Sequence, residues 1–306
     1  MLKDNQHYFK ISKDKPEPHL DKSYFIIEKD PKLKGYVKNI KEIKETLITI
    51  KKLKEGKELE SIIEKYFVKL FKPFNSNFAN CSELGCFVNA CDTTRDLIQK
   101  DYGSFKRVTN LFLEKRETND KVPENWVQAI IDSNSSRKKG ELGERKLIKL
   151  LSRERFGEVK NWDDFHKNKK CVARFSKDIF PNSSVRENLE IDMKDKKQEK
   201  MLDLIIKNKE NIFLLEAKHL NVGGGEQNKQ VSELIDILKL KENNKSVYYV
   251  AFLDGTYSNL LLDKNISKKA KKRIKQKKDI EKFLRKDKNN FWLNTAGFLE
   301  FIKDLS

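Results

Sequence analysis

Hydrophobic residues in the first third of the chain recur every three or four positions, which is the period of an amphipathic helix. The clearest set consists of Ile40, Ile43, Leu47, Ile50 and Leu53. A second helical pattern covers residues 62–71 and is expected to end at Pro73, and further helices are expected within residues 81–115. Pro123 marks the start of another helix. Residues 1–125 are therefore predicted to be mostly helical.

The pattern changes after Gly140. A helix is predicted over residues 141–155, and the polar stretch 156–200 that follows it is predicted to be irregular. Residues 201–206 and 212–219 are apolar enough to form two strands. The five polar residues between these strands are typical of a hairpin turn.

A second helix and a third strand complete this part of the chain. The helix has an apolar face formed by Val231, Leu234, Ile235 and Leu238. Residues 247–253 are continuously apolar and predict a buried strand. The order helix, strand, strand, helix, strand indicates an α/β fold class with a core of about 120 residues. The basic run 264–278 and the apolar segment 291–302, expected to pack onto the body, follow this core.

Charge indicates what kind of partner the chain has. Of the 306 residues, 65 are Lys or Arg and 47 are Asp or Glu, so the formal net charge is +18. A balance this basic indicates a polyanionic partner, and nucleic acid is the leading candidate. A biased genome composition is the alternative, because AT-rich genomes enrich lysine and asparagine whatever the function of the protein.

Composition also excludes several classes of protein. The longest apolar run, residues 247–253, is far shorter than the roughly 20 residues of a membrane helix. The N-terminal residues turn polar at once, so no signal peptide is expected. Four cysteines are too few for a disulfide framework, which favours a reducing cytoplasm. The spacing of Cys81, Cys86 and Cys91 predicts small thiols rather than a zinc site.

Three charged residues interrupt the two strands of the predicted hairpin: Asp203, Glu216 and Lys218. Strand alternation puts Glu216 and Lys218 on one face, and a hairpin would bring Asp203 beside Glu216. Charged side chains are rarely buried on a strand without a partner or a function. Two converging carboxylates form a site that suits Mg²⁺. Lys218 would then act on the attacking water or the phosphate. The alternative is a solvated hairpin edge. His219 faces the other way and is expected to be a core or supporting histidine.

These residues and their spacing resemble the signature of the PD-(D/E)xK nuclease superfamily. The matching residues are Asp203, Glu216, Ala217 and Lys218, with twelve residues between the first two. The resemblance covers roughly residues 136–255 and implies a restriction-endonuclease-like core, a mixed central sheet flanked by helices. Leu202 occupies the position of the motif's proline, directly before Asp203. Asp192 and Asp195 are the reserve candidates for its position.

Flanking helices supply further candidates by the same resemblance, since members often carry an acidic residue on the helix before the hairpin. Glu144 continues the buried face of that helix and is expected to be a direct or water-mediated metal ligand. The alternative role for Glu144 is stabilisation of the helix dipole. Glu141 has the same two alternatives, an active-site role or stabilisation of the helix dipole. Gln230 or Gln227 on the following helix is expected near the metal or the scissile phosphate, unless both are simply solvated.

Length and a basic helical flank make the chain look most like a type II restriction endonuclease within this superfamily. That resemblance implies cleavage of both strands of double-stranded DNA at a short site, with one or two Mg²⁺ ions per active site and 5′-phosphate products. It also implies a homodimer, a cognate DNA methyltransferase and the cytoplasm of a prokaryote. Structure-specific repair, junction-resolving or RecB-like nucleases are the first alternative, and a non-catalytic DNA-binding protein is the second.

The expected organisation has three parts. Residues 1–125 form a helical DNA-recognition or accessory region, residues 126–262 the nuclease core, and residues 263–306 a basic C-terminal segment. Within that segment the candidate substrate contacts are Lys269, Lys272 and Arg273. Lysines of this kind contact phosphates and carry no sequence information. A solvated basic face is the alternative interpretation.

Overall fold

Contacts within the chain divide it into two parts that differ in secondary structure. The structure, a computed structural model, describes residues 2–134, 136–193 and 201–305. Residues 1–25 and 137–306 form one compact part, here called the sheet unit, and residues 26–136 form the other, here called the helical unit. The first 25 residues thus belong with the sheet, whereas the division expected from the sequence kept them with the helices up to residue 125.

A buried asparagine fixes the N-terminal segment to the sheet unit. Helix α1 (Asn5–Asp14) begins with Asn5, whose side chain is fully buried. Its amide nitrogen donates to the main-chain carbonyl groups of Leu284, Asp287 and Asn290 at 3.0, 2.8 and 2.8 Å. Buried carbonyl groups need hydrogen-bond partners, and the Asn5 side chain supplies a partner to these three. It thereby connects the N-terminal segment to residues near the other end of the chain.

The helical unit consists of helices that pack through their apolar faces. They are α2 (Leu33–Glu55), α3 (Glu60–Phe74), α4 (Glu83–Val88), α5 (Arg95–Ile98), α6 (Tyr102–Lys115) and α7 (Glu124–Ser133). The predicted helical character of this region is confirmed, and Pro123 precedes α7 as expected. Pro73 lies inside the last turn of α3 rather than beyond it. The main core of the unit includes Ile43, Ile50, Phe67, Phe74 and Phe105.

The sheet unit continues from α8 to the end of the chain. Its elements are α8 (Ser136–Arg153), β1 (Gly157–Glu158), α9 (Trp162–Lys167), β2 (Lys170–Arg174), α10 (Asn182–Leu189), β3 (Leu204–Asn208), β4 (Asn211–His219), α11 (Gly225–Ile237), β5 (Val247–Asp254), α12 (Thr256–Leu262), α13 (Lys271–Lys286), β6 (Asn290–Leu293) and α14 (Thr295–Asp304). The prediction that residues 156–200 are irregular is wrong, because two strands and two helices lie within that stretch. The hairpin turn contains only Lys209 and Glu210, with Lys209 in the left-handed conformation.

The strands form one mixed sheet in the order β1-β2-β3-β4-β5-β6. Strand β3 pairs antiparallel with β2 and with β4, while β1/β2, β4/β5 and β5/β6 are parallel. The expectation of an α/β fold with a mixed central sheet flanked by helices is confirmed. Strand β4 lies between β3 and β5, so both of its edges are hydrogen-bonded and charged side chains on it have little access to water.

Helices cover both faces of the sheet, and alternation along β4 assigns each side chain to one face. Ile212 and Leu214 point into the core that α11 contributes to, called here face A. Phe213 and Leu215 point into the core shared with α8 and α14, called face B. Alternation continues past residue 215, so Glu216 and Lys218 lie on face A and His219 lies on face B.

Candidate active site

Pairing of β3 with β4 brings the two motif carboxylates together. Leu204 is opposite Leu215, so Asp203 and Glu216 are neighbours across the hairpin. The Asp203 main-chain nitrogen donates to the Leu215 carbonyl oxygen at 2.9 Å, which extends the ladder by one residue. The Asp203 carboxylate oxygen Oδ2 accepts a hydrogen bond from the Ala217 nitrogen at 2.6 Å. Both contacts hold the carboxyl group at the point where the two strands diverge.

The other two motif residues pair with each other on face A. The Lys218 ammonium group donates to Oε1 of Glu216 and forms an ion pair with it. Glu216 is only 3% exposed, although it carries a carboxylate. Charged groups are seldom buried this deeply without partners. The structure thus brings Asp203, Glu216 and Lys218 into one cluster, the arrangement expected from the motif.

Burial changes the acidity of Asp203. Desolvation, followed by the negative charges of Glu216 and Glu144, raises the pKa of its carboxyl group to about 7. Lys218 and the Ala217 amide act in the opposite direction. An aspartate that resists ionisation beside other carboxylates indicates a region of concentrated negative potential. A cation placed there would relieve this repulsion.

Glu144 approaches the cluster from α8. Leu147, Ile148 and Leu151 of this helix are buried in the face B core, as the apolar spacing predicted. Burial raises the pKa of Glu144, with Arg174 opposing the shift. Its carboxylate lies 3.5 Å from the Arg174 guanidinium group. Glu141, by contrast, is exposed, and Arg145 pairs with it at 4.0 Å.

Arg174 is a candidate functional residue that the sequence did not reveal. It is the last residue of β2, and its Nε donates to Oε1 of Glu158 at 2.9 Å while its other end approaches Glu144. Its side chain remains about one-third exposed and lines a cavity of about 460 Å³. The signal was weak because β2 has only three consecutive buried residues inside a polar stretch.

The remaining candidates belong to other segments of the sheet unit. Gln227 and Gln230 are half-buried on α11, which packs on face A, and the Gln227 amide oxygen lies against Gly224. Asp192 is exposed, and its main-chain nitrogen donates to Glu242, whose other oxygen binds Tyr249 near the start of β5. The Asp192 main chain is therefore held by a residue that also binds β5. Asp195 lies outside the described residues.

A comparison with protein-family models decides the family of the chain. The model of the DpnII restriction endonuclease matches residues 127–283, just over half of the sequence. The chain belongs to the DpnII restriction endonuclease family. It is thus a type II restriction endonuclease, a site-specific nuclease whose substrate is DNA. No curated protein and no solved structure matches it.

The match contains every residue of the cluster as well as Arg174. It supports the restriction-endonuclease interpretation over a repair or junction-resolving nuclease and over a non-catalytic DNA-binding protein. Residues 26–126, most of the helical unit, lie outside the matched region. Within the described parts of the chain, no helix is both long and apolar enough to span a membrane.

The basic candidates of this restriction endonuclease lie at the start of α13. Lys269, Lys272 and Arg273 line a second cavity, of about 510 Å³, together with Gly223 and Gly224. The two glycines belong to the loop that connects β4 to α11. The structure therefore places these cations beside the chain segment that directly follows the Glu216 and Lys218 strand.

A buried polar network lies on face B, behind the cluster, and the sequence did not predict it. His219 Nδ1 is 2.8 Å from the fully buried Asp254, whose other oxygen contacts Lys146 Nζ at 2.7 Å. Tyr24 stacks on the His219 ring with 3.6 Å between centroids, and its hydroxyl donates to Asp254 at 2.6 Å. Lys146 also binds Asp21 at 2.8 Å. His219 thus supports the strand end on the face opposite Lys218.

Proposed function

We propose that this restriction endonuclease hydrolyses both strands of double-stranded DNA at a specific sequence, using Mg²⁺ and leaving 5′-phosphates. The convergence of Asp203, Glu216 and Lys218 at the end of one hairpin carries the proposal. The arrangement corresponds to the PD-(D/E)xK signature, and the mixed sheet is consistent with a restriction-endonuclease-like core. The cluster belongs to the region that matches the family.

The donor set fits Mg²⁺, which prefers carboxylate oxygens. Asp203 and Glu216 would hold one or two ions, with Glu144 as an additional direct or water-mediated ligand. The raised pKa of Asp203, caused first by burial and then by Glu216, is the feature that a cation would reverse. When bound, Mg²⁺ would polarise the phosphodiester, lower the pKa of an attacking water and stabilise the leaving oxygen.

Lys218 supplies a positively charged side chain at the site. Its ammonium group is held by Glu216 and is 15% exposed, so it remains accessible at the mouth of the cluster. From there Nζ would orient the attacking water and stabilise negative charge that develops on the phosphate. The ion pair with Glu216 fixes the direction of a side chain that would otherwise have many rotamers.

Other charged and polar residues would bind the substrate. Arg174, held between Glu144 and Glu158, would offer its exposed nitrogen atoms to a phosphate. Gln227 and Gln230 would lie along the DNA on the α11 side. The three cations near the start of α13 would contact the phosphate backbone: Lys269, Lys272 and Arg273.

The biological setting that we propose follows the restriction-enzyme family. The helical region would hold and read the duplex, and two copies of the chain would act as a homodimer on the two strands. A cognate DNA methyltransferase would protect the host genome in the cytoplasm of a prokaryote. Sedimentation of the protein with and without a duplex that carries its site would test the dimer.

The substitution Lys218→Ala tests the catalytic assignment. Cleavage of duplex DNA with Mg²⁺ should be lost, because the ammonium group beside Glu216 is removed, while DNA binding should remain within a few fold of wild type. Lys245→Ala, an exposed lysine before β5, is the matched control and should cleave normally. Full activity of the Lys218→Ala protein would refute the assignment.

A further inference from the structure

The cavity at the start of α13 has features that a nonspecific basic surface lacks. Its volume is about 510 Å³, and it lies between the loop after β4, helix α12 and the first turn of α13. Four cationic side chains line it: Lys269, Lys271, Lys272 and Arg273. None of the described residues that line it is acidic. A concave surface with this charge attracts and concentrates anions.

The four cations also lack acidic partners elsewhere in the described ranges, since no ion pair there involves them. By contrast, Lys264, a few residues earlier, pairs with Asp14 at 3.5 Å. Like charges within one cavity repel each other, and this repulsion is relieved when an anion binds between them. The charge of the cavity, as well as its shape, therefore favours an anion.

Main-chain groups add to the positive potential. Helices α11 and α13 both begin at this cavity, and neither has a side-chain cap on its N-terminus. The first turn of α13 contains no acidic residue, whereas that of α11 contains Glu226. Free N–H groups at a helix start bind phosphate well when cations accompany them. At Gly223 a side chain would place its Cβ 2.9 Å from the Tyr257 ring, so glycine lets the loop pack closely against Tyr257 in this wall.

Hydrogen bonds fix the walls of the cavity before any ligand binds. The Gln276 side chain of α13 donates to the Asn228 carbonyl oxygen of α11 at 3.0 Å. Lys277 donates to the Asp263 carbonyl oxygen at 2.6 Å, which connects α13 to the end of α12. Tyr257 donates to Oδ1 of Asn228 at 3.2 Å. A preformed site loses little conformational entropy on binding.

Chain connectivity limits the distance from this cavity to the proposed catalytic cluster. Only five residues lead from Lys218 to Gly223, and an extended chain of that length spans at most about 18 Å. Along one strand of B-DNA, phosphates advance about 3.4 Å per base pair, so about five base pairs cover that distance. A DNA strand cleaved at the cluster would therefore pass the cavity within a few nucleotides.

From these observations we infer that the cavity is a dedicated seat for a backbone phosphate of the DNA, within about five nucleotides of the scissile phosphate. This inference rests on the proposed nuclease function. The seat would fix the register of the strand relative to Lys218. It contributes to affinity for every DNA sequence and not to base discrimination, since phosphates carry no sequence information.

A pair of charge-matched double variants tests the seat. Lys272→Gln with Arg273→Gln removes two cations of the cavity, while Lys282→Gln with Lys286→Gln removes two exposed cations about 15 Å further along α13. Binding of a duplex that carries the cleavage site is measured in EDTA by fluorescence anisotropy at several salt concentrations. The cavity variant should bind at least tenfold more weakly, and its salt slope should fall by about 1 to 2. The control should match wild type.

Neutral methylphosphonate linkages, placed one at a time in that duplex, locate the contact. Wild type should lose at least tenfold in affinity at one or two positions within about five nucleotides of the cut. A methylphosphonate at those positions should not weaken DNA binding by the cavity variant any further, because that variant has already lost the phosphate contact. If it has unfolded, as thermal melting would show, Lys269→Gln with Lys271→Gln serves as the second variant.

The outcomes separate the seat from the function on which it rests. Equal losses for the cavity and control variants, or a cavity variant that binds like wild type, would overturn the seat while wild type still cleaves DNA. Methylphosphonate effects that persist in the cavity variant would overturn it as well. A wild-type protein that never cleaves DNA with Mg²⁺ would instead refute the proposed function.

Discussion

Replacement of Asp203 by asparagine should stabilise the fold while it abolishes cleavage. Desolvation and the charge of Glu216 raise the pKa of Asp203 from 3.8 to about 7. Each pKa unit corresponds to about 1.4 kcal/mol, so ionisation of this group in the folded protein costs about 4 kcal/mol. Asparagine has a similar shape, keeps an acceptor for the Ala217 N–H group and carries no charge.

The pH dependence of this effect follows from the direction of the pKa change. A group whose pKa is raised on folding contributes fully to stability below its unfolded pKa, here about 3.8, and that contribution is lost as the pH rises through about 7. Asp203→Asn should therefore show little gain near pH 4, a growing gain up to about pH 7, and a constant gain above it. At pH 8 the melting temperature of the Asp203→Asn protein should lie about 10 °C above that of wild type, for a unit of this size.

Thermal unfolding followed by circular dichroism in EDTA, at pH values from 4 to 8, measures the gain. Asp178→Asn, an exposed aspartate of the same unit, is the control and should shift the melting temperature little at any pH. Addition of Mg²⁺ should stabilise wild type more than Asp203→Asn. A loss of stability in Asp203→Asn at pH 8, or a gain that is equal at pH 4 and pH 8, would refute the electrostatic account of the cluster.

Three further changes test other parts of the structure. Lys146→Met should lower the free energy of unfolding in urea by about 3 kcal/mol, because it leaves Asp254 buried without its closest cation, whereas the exposed Lys149→Met should change it little. Glu144→Gln should slow cleavage at least tenfold in a timed digest, and Glu141→Gln should not. Only Glu144 is half-buried and interacts electrostatically with the carboxylates of the cluster. Equal effects of the two substitutions would contradict the assignment. Asn5→Ala should cost about 2 kcal/mol in the same urea assay, about 1 kcal/mol for each of the two amide N–H groups that serve the three carbonyl acceptors. An unchanged midpoint would show that the N-terminal segment does not hold the sheet unit.

The hairpin and the helix before it were predictable because their sequences are locally consistent. The apolar residues on both sides of Asp203 and the long apolar run of β4 made the three interrupting charges stand out. The apolar spacing of α8 likewise identified the face that carries Glu144. Local pattern was sufficient where the residues of one element determine its own burial.

Features made by contacts between distant segments were not predictable. Arg174 lies on a strand with only three consecutive buried residues, and its two carboxylate partners come from α8 and β1. The network around Asp254 joins residues from the N-terminal segment, α8, β4 and β5. No spacing in a single segment reports such contacts, because they depend on how the chain returns to the sheet. The same reason explains why residues 1–25 were expected with the helices.

Digestion of unmodified, phage-length duplex DNA by the purified protein tests whether the enzyme cleaves DNA at one sequence with Mg²⁺. The reaction is run with Mg²⁺ and with EDTA, and the Lys218→Ala protein is run beside wild type. Wild type should give discrete fragments with Mg²⁺ and none with EDTA, and the ends of these fragments should share one sequence and carry 5′-phosphates. A smear of fragments, cleavage in EDTA, or DNA that stays intact in every lane would contradict the proposed function.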